Sequence, residues 1–150
     1  ALKHSIPELK VSASDISVEA LQVAVRNARR LLPSARIRLY RCDLLAGVPG
    51  RYDLITANPP YLTDLEVENM RKVGWPEPKL ALQGGLHGTD LLRRLIRQAP
   101  RNKGAAGYLL LEAAPQQMPV LQREFEDQGF KGITVTPDLG GRDRVIKARR

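Results

Sequence analysis

The chain has 150 residues, 43% of them apolar, with 24 basic against 16 acidic residues and a formal charge of +8. That length suffices for one domain with a hydrophobic core. A single cysteine excludes an internal disulfide framework and fits a reducing, cytosol-like compartment, and with His4 and His87 far apart it leaves no metal-ligand spacing. No run has the length of a membrane span, and no N-terminal stretch has the make-up of a secretion signal.

In chain order, Lys10–Ser14 reads as a short strand ending at Asp15. Ser17 then suits an N-cap for a helix over Val18–Leu32, whose apolar positions Leu21, Ala24, Val25, Ala28 and Leu32 share one face with Arg26, Arg29 and Arg30 outside it. Pro33 closes that helix. Ile37–Arg41 alternates as a strand does and runs into Cys42-Asp43-Leu44. Tyr52–Ala57 is a more continuous apolar run, the pattern of a strand buried on both faces, and leads into Asn58-Pro59-Pro60-Tyr61. Thr63 and Glu66 form a capping-box pattern for a helix to about Lys72. Residues 73–89, rich in Gly and Pro, read as a long loop.

Asp90–Ala99 repeats apolar residues at helical spacing through Leu91, Leu92, Leu95 and Ile96. Gly107–Leu111 is a strand ending in Glu112. Pro119 suits the first turn of a helix carrying Val120, Leu121 and Phe125 and stopping before Gly129. Gly132–Thr136 and Arg144–Ala148 are two last strands, separated by Asp138-Leu139-Gly140-Gly141. The positive charge favours phosphate-rich partners such as RNA, or a partner seated on RNA. Its spread over Arg26, Arg29, Arg30, Arg93, Arg94, Arg97, Arg101, Lys103, Lys147, Arg149 and Arg150 reads mainly as solvated helix faces.

Strands alternating with helices imply an α/β fold with a mostly parallel sheet and helices on both faces. Such sheets bind ligands outside the carboxyl ends of their strands, where Asp15, Asp43, Asn58 and Glu112 are all expected to lie. The two prolines after Asn58 fix their own φ and push the preceding residue out of the helical region. The Asn58 side-chain oxygen and a neighbouring backbone carbonyl are then free to accept both N–H bonds of a planar amide or amine, with Tyr61 as an aromatic wall. An ordinary turn after a strand has the same dipeptide signal. Asp15 suits either a ribose diol or a helix start; Asp43, with Leu44 packing on the ring, suits an adenine amine or a plain turn. Glu112 suits an acceptor behind the site or, preferably, a partner for an arginine. Together these residues describe an adenosine site adjoining an amine grip, which points to S-adenosylmethionine.

Asp15-Ile16-Ser17 with Ala20-Leu21, Ala24 and Asn27, then Asp43-Leu44, Tyr52-Asp53-Leu54-Ile55 and Asn58-Pro59-Pro60-Tyr61 resemble the class I S-adenosylmethionine-dependent methyltransferases. Glu77-Pro78, Ala81-Leu82, Gly84-Gly85, Gly88, Leu111-Glu112, Gln117, Gly129-Phe130 and Asp138 to Val145 narrow the match. They are similar to the HemK/PrmC family, protein-(glutamine-N5) methyltransferases acting on the Gly-Gly-Gln loop of peptide-chain release factors. The resemblance implies a Rossmann-like fold with an antiparallel C-terminal strand over 1–150, and a cytoplasmic or organelle-matrix location. Asn58 and Pro59 would grip the glutamine amide, with Pro60 and Tyr61 lining the transfer site, and Asn58 would also border the cofactor. Asp15 and Ile16 would take its ribose, and Asp43 and Leu44 its adenine.

Three departures accompany the resemblance. His87 stands where the family usually has Asp, and Ala113 or Ala114 where it has Gly. The Gly-rich loop and first strand are missing, Ala1 to His4 resembling the back half of the first helix, and so is the family's N-terminal helical domain. A fragment of this kind is expected to bind the cofactor weakly or not at all. The shared tetrapeptide and the positive charge leave an RNA or DNA amino-methyltransferase as a rival reading; the missing loop leaves a non-catalytic binding module.

Overall fold

The computed structural model describes residues 2–32 and 37–149; Pro33, the expected end of the first long helix, lies outside them. The chain divides into two compact units, Ala1–Pro49 and Gly50–Arg150.

The first unit holds α1 (Leu2–Ser5), β1 (Val11–Asp15), α2 (Val18–Leu31) and β2 (Ile37–Arg41). β1 and β2 pair in parallel, from Val11 opposite Ile37 to Asp15 opposite Arg41. Ser17 is extended, and its Oγ accepts the Ala20 N–H at 3.1 Å, the capping bond its sequence position predicts. Two strands and two helices, one of them a single turn, enclose little volume. Val48 is the one buried apolar residue among the described residues of this unit, and the apolar face of α2 is only half-buried.

The second unit holds β3 (Tyr52–Ala57), α3 (Asp64–Lys72), α4 (Lys79–Leu82), α5 (Asp90–Asn102), β4 (Lys103–Glu112), a 3-10 turn (Pro115–Gln117), α6 (Met118–Asp127), β5 (Lys131–Pro137) and β6 (Asp143–Arg149). Its sheet runs β3-β4-β6-β5. β3 and β4 are parallel, while β6 is antiparallel to both neighbours. Leu109 sits opposite Ala148 and Leu111 opposite Ile146, so all four share one face, and all are fully buried. Leu92, Leu95, Ile96 and Ala99 of α5 and Leu121 and Phe125 of α6 complete this core, with Phe125 meeting Phe130 edge to face at 5.0 Å between ring centres.

Two expectations change here. β3 is an edge strand: Ile55 is buried, but Leu54 on the opposite face is 46% exposed, so the run is not buried on both sides. Within this unit the buried helix residues back one face of the sheet. Residues 73–89 are more than a loop, because α4 forms within them and Leu62 and Gln83 make a parallel bridge.

The basic faces also need correction. Arg93 Nε donates to Glu124 Oε2 at 2.8 Å, and Arg97 donates from Nε to Oε1 at 2.7 Å and from Nη2 to Oε2 at 3.1 Å. Glu124 is 4% exposed. These arginines cover a buried carboxylate instead of facing solvent alone. Among the described residues no helix is long and apolar enough to cross a membrane.

Candidate active site

Because β3 and β4 run in parallel with Ala57 opposite Leu111, Asn58 leaves β3 beside Glu112, the last residue of β4. Asn58 is exposed, Pro59 buried, and Pro60 and Tyr61 half-buried. Among the described residues neither the Asn58 side chain nor the Pro59 carbonyl has a hydrogen-bond partner. An exposed amide oxygen and a carbonyl held out of the sheet by two prolines form a ready pair of acceptors.

The residues past the turn are tied on several sides. Leu62 N–H donates to the Leu82 carbonyl at 3.0 Å, Gly84 N–H to Leu62 at 2.8 Å, and Asp64 N–H to Gly85 at 3.2 Å. The α3 capping box is complete, with Glu66 N–H on Thr63 Oγ1 at 3.2 Å and Thr63 N–H on Glu66 Oε2 at 2.7 Å.

Tyr61 Oη donates to Glu112 Oε1 at 3.3 Å. Burial and the Glu112 charge raise the phenol above its ordinary pKa, and the nearby Arg144 guanidinium only partly opposes them. Tyr61 therefore stays protonated across the physiological range and acts as a donor. Glu112 thus serves the tyrosine directly. Arg144 donates to the Ala113 carbonyl at 3.5 Å and to Asp138 Oδ2 at 3.4 Å. The Asp138 carboxylate also accepts the Gly140 N–H at 2.9 Å and the Arg142 N–H at 3.0 Å, and these partners, the Arg142 N–H foremost, lower its pKa. The β5–β6 turn therefore carries Arg144 to the Tyr61–Glu112 pair. No role for Asp138 or Arg144 is legible from the sequence; their one signal is the Asp138 to Val145 stretch itself.

The first unit brings Asp15 and Asp43 to the carboxyl end of its own two strands, and the Cys42 N–H donates to the Asp15 carbonyl at 3.1 Å. Asp15 Oδ1 accepts the Ser17 N–H at 2.8 Å. Its Oδ2 has no partner among the described residues, and the exposed Ile16 lies next to it in the chain. One free carboxylate oxygen and one with a spare lone pair fit a vicinal diol. Leu44 takes a left-handed φ of 55°, a conformation costing a non-glycine residue about 1–2 kcal/mol. Ser14 Oγ holds it by donating to the Leu44 carbonyl at 2.8 Å. The four strand-end residues thus form two pairs, each at the carboxyl end of its own sheet.

A family model described as the methyltransferase small domain matches residues 1–73. The release factor glutamine methyltransferase of Deinococcus radiodurans is 38% identical over 149 residues, which are 99% of this chain and 52% of that protein. The ribosomal protein uL3 glutamine methyltransferase of Xylella fastidiosa is 37% identical over 123 residues, 81% of this chain and 39% of that protein. Over most of its length the chain is similar to curated glutamine methyltransferases. It spans about half the length of the first of these curated relatives. Among solved structures, a methyltransferase of Pyrococcus furiosus superposes with a TM-score of 0.72 at 18% identity, covering 99% of this chain and 66% of that one. That similarity shows the class I methyltransferase fold.

Proposed function

We propose that the chain carries the acceptor site of an S-adenosylmethionine-dependent enzyme that methylates the side-chain amide nitrogen of the glutamine in the Gly-Gly-Gln loop of a peptide-chain release factor. The observation that supports this most is the Asn58–Tyr61 turn at the end of β3, where the Asn58 side chain and the Pro59 carbonyl have no hydrogen-bond partner among the described residues. An amide nitrogen is a poor nucleophile because its lone pair is delocalised into the carbonyl. Asn58 Oδ1 and the Pro59 carbonyl accept its two N–H bonds, which adds electron density at nitrogen and favours slight pyramidalisation. Fixed acceptors of this kind stabilise the positive charge that develops as the new bond forms.

When bound, the cofactor supplies an already activated methyl group, so the chain's own work is alignment and exclusion of water. Tyr61 and Pro60 wall the acceptor, and the raised Tyr61 pKa keeps that wall uncharged. Asp15 and Ile16 are assigned to the ribose, Asp43 and Leu44 to the adenine. The exposed Arg26, Arg29 and Arg30 of α2 support contact with a phosphate-rich ribosomal partner, in whichever compartment the release factor works, cytoplasm or organelle matrix.

The test is transfer of a labelled methyl group from S-adenosylmethionine to three substrates in parallel: release factor, ribosomal protein uL3 and ribosomal RNA. The reading expects label on the release factor, lost when the factor's loop glutamine is changed to alanine. Label on RNA with none on either protein would refute it in favour of an RNA amino-methyltransferase. Label on uL3 alone would keep the glutamine chemistry and replace the substrate.

A further inference from the structure

Gln117 ends the 3-10 turn between β4 and α6 and is 5% exposed. Its side-chain oxygen accepts the Ala114 N–H at 3.0 Å. Its Nε2 donates to the Tyr61 carbonyl at 2.8 Å and to the Gly88 carbonyl at 3.1 Å. One N–H and two carbonyls around a buried amide leave only one orientation of that amide able to bond all three. The side chain thus joins backbone from three segments: the residues before α6, the end of the Asn58–Tyr61 turn, and the loop before α5.

The glycines show how closely two of those segments lie. A Cβ at Gly88 would stand 2.3 Å from the Tyr61 carbonyl oxygen and 2.6 Å from Gln117 Nε2. A Cβ at Gly84 would stand 2.8 Å from both the Pro60 carbonyl oxygen and Tyr61 Cα. Bare backbone of residues 84–88 therefore lies directly against Pro60 and Tyr61, and Gln117 pins both.

We propose that Gln117 is a positioning residue for the amide grip, a role that rests on the methyl-transfer reading above. Pro59 and Pro60 each have a fixed φ, which leaves few soft torsions between Tyr61 and Asn58. Holding the Tyr61 carbonyl therefore holds the Pro59 carbonyl and the base of the Asn58 side chain. An apolar residue at 117 would fill the space but strand three buried backbone groups.

The test is Gln117→Glu, which keeps the shape and the acceptor for Ala114 but sets a carboxylate oxygen against two carbonyls. When that carboxyl is protonated it regains one donor. Tyr61, Glu112, Arg144, His87 and Asp90, on or beside these segments, are the same in wild type and variant, so each rate is referred to wild type at the same pH. We expect a methyl-transfer kcat lower by roughly tenfold or more near about pH 8, as misplacement of a catalytic group by a fraction of an ångström produces. KM for S-adenosylmethionine should stay within about twofold, and the deficit should narrow as pH falls towards about 5, because burial against two carbonyls raises the introduced carboxyl above its ordinary value and it becomes a donor. Backbone amide NMR shifts should change at residues 61–64 and 84–90 while those of Leu121, Phe125 and Ile146 stay put. Wild-type kcat in the variant, a deficit that does not respond to pH, or shift changes spread through the α6 core would each overturn the proposal. If the wild-type chain transfers no methyl group, the outcome consistent with the weak cofactor binding expected of it, the shift pattern alone decides whether Gln117 holds the turn.

Discussion

The buried carboxylate of Glu124 offers a direct measure of how the second unit is held. Glu124→Gln keeps the volume but removes the charge and turns an NH2 group towards a guanidinium. The carboxylate receives three charge-assisted bonds, at 2.7, 2.8 and 3.1 Å, each worth about 1.5–3 kcal/mol when both groups are buried. The arginine side chains are 44% and 51% exposed, so they regain water when the partner is lost, and relief of carboxylate desolvation offsets part of the remainder. A net loss of about 2 kcal/mol follows, which for a chain of this size is a fall in Tm of roughly 4–8 °C.

The pH dependence gives a second check. Burial would raise the Glu124 pKa, but Arg97 and Arg93 more than offset it, and the carboxyl lies below its ordinary value in the folded chain. A carboxyl depressed on folding contributes stability that is fully present above its unfolded pKa, about 4.3, and is lost as pH falls through the lower folded value. Urea titrations of the two proteins should therefore differ by about 2 kcal/mol at neutral pH and converge in acid. A difference under about 0.5 kcal/mol at neutral pH, within the range of an ordinary surface change, would refute the reasoning. So would a gap that persists unchanged once the pH has fallen through the lowered folded value and the carboxyl is protonated in both states.

Gly88→Ala, at φ +70°, must move its neighbours by about 1 Å to relieve the contact with the Tyr61 carbonyl, a displacement that costs up to about 100-fold in rate. Gly74→Ala, at φ +76° with nothing near, carries backbone strain of about 1–2 kcal/mol only; assayed side by side for methyl transfer, the first should lose activity and the second keep it. Asn58→Ala should lower kcat by about 10²-fold or more, as loss of one fixed polar contact to a transition state does. Its urea midpoint should stay close to wild type because the side chain is exposed and has no partner among the described residues.

Local chemistry was legible before any coordinates. Ser17 and Thr63 cap the helices they were expected to cap, because a capping bond reaches only three residues along the chain. Ile37–Arg41 forms the strand its alternation predicts. What sequence could not supply was partnership at a distance. Arg93 and Arg97 read as solvated because their carboxylate lies 31 and 27 residues away. The stretch 73–89 read as unstructured because its order comes from backbone bonds to Leu62 and Asp64, which leave no trace in composition. The apolar run Tyr52–Ala57 shows strand character but not position in the sheet, and the edge place of β3 is what exposes Leu54. In the candidate site, Asn58 and Tyr61 announced themselves through the prolines between them. Arg144 and Gln117 act on that turn from sequence positions far beyond it, so their roles emerge only from the fold.

The parallel pairing of β3 with β4 has a consequence for the order in which the molecule is made. Leu54 meets Tyr108 across a crossover that holds α3, α4 and α5, whereas β5 and β6 meet across the five residues 138–142. Closing a loop roughly ten times longer costs about 2 kcal/mol more chain entropy, so the hairpin forms ahead of the β3–β4 ladder. The Asn58–Tyr61 turn, standing at the end of β3, comes into being only with that last pairing. Amide hydrogens of β3 should then exchange through smaller openings than those shared by β4 and β6. A chain that lets go of one edge strand keeps most of its core and loses the Asn58–Tyr61 turn.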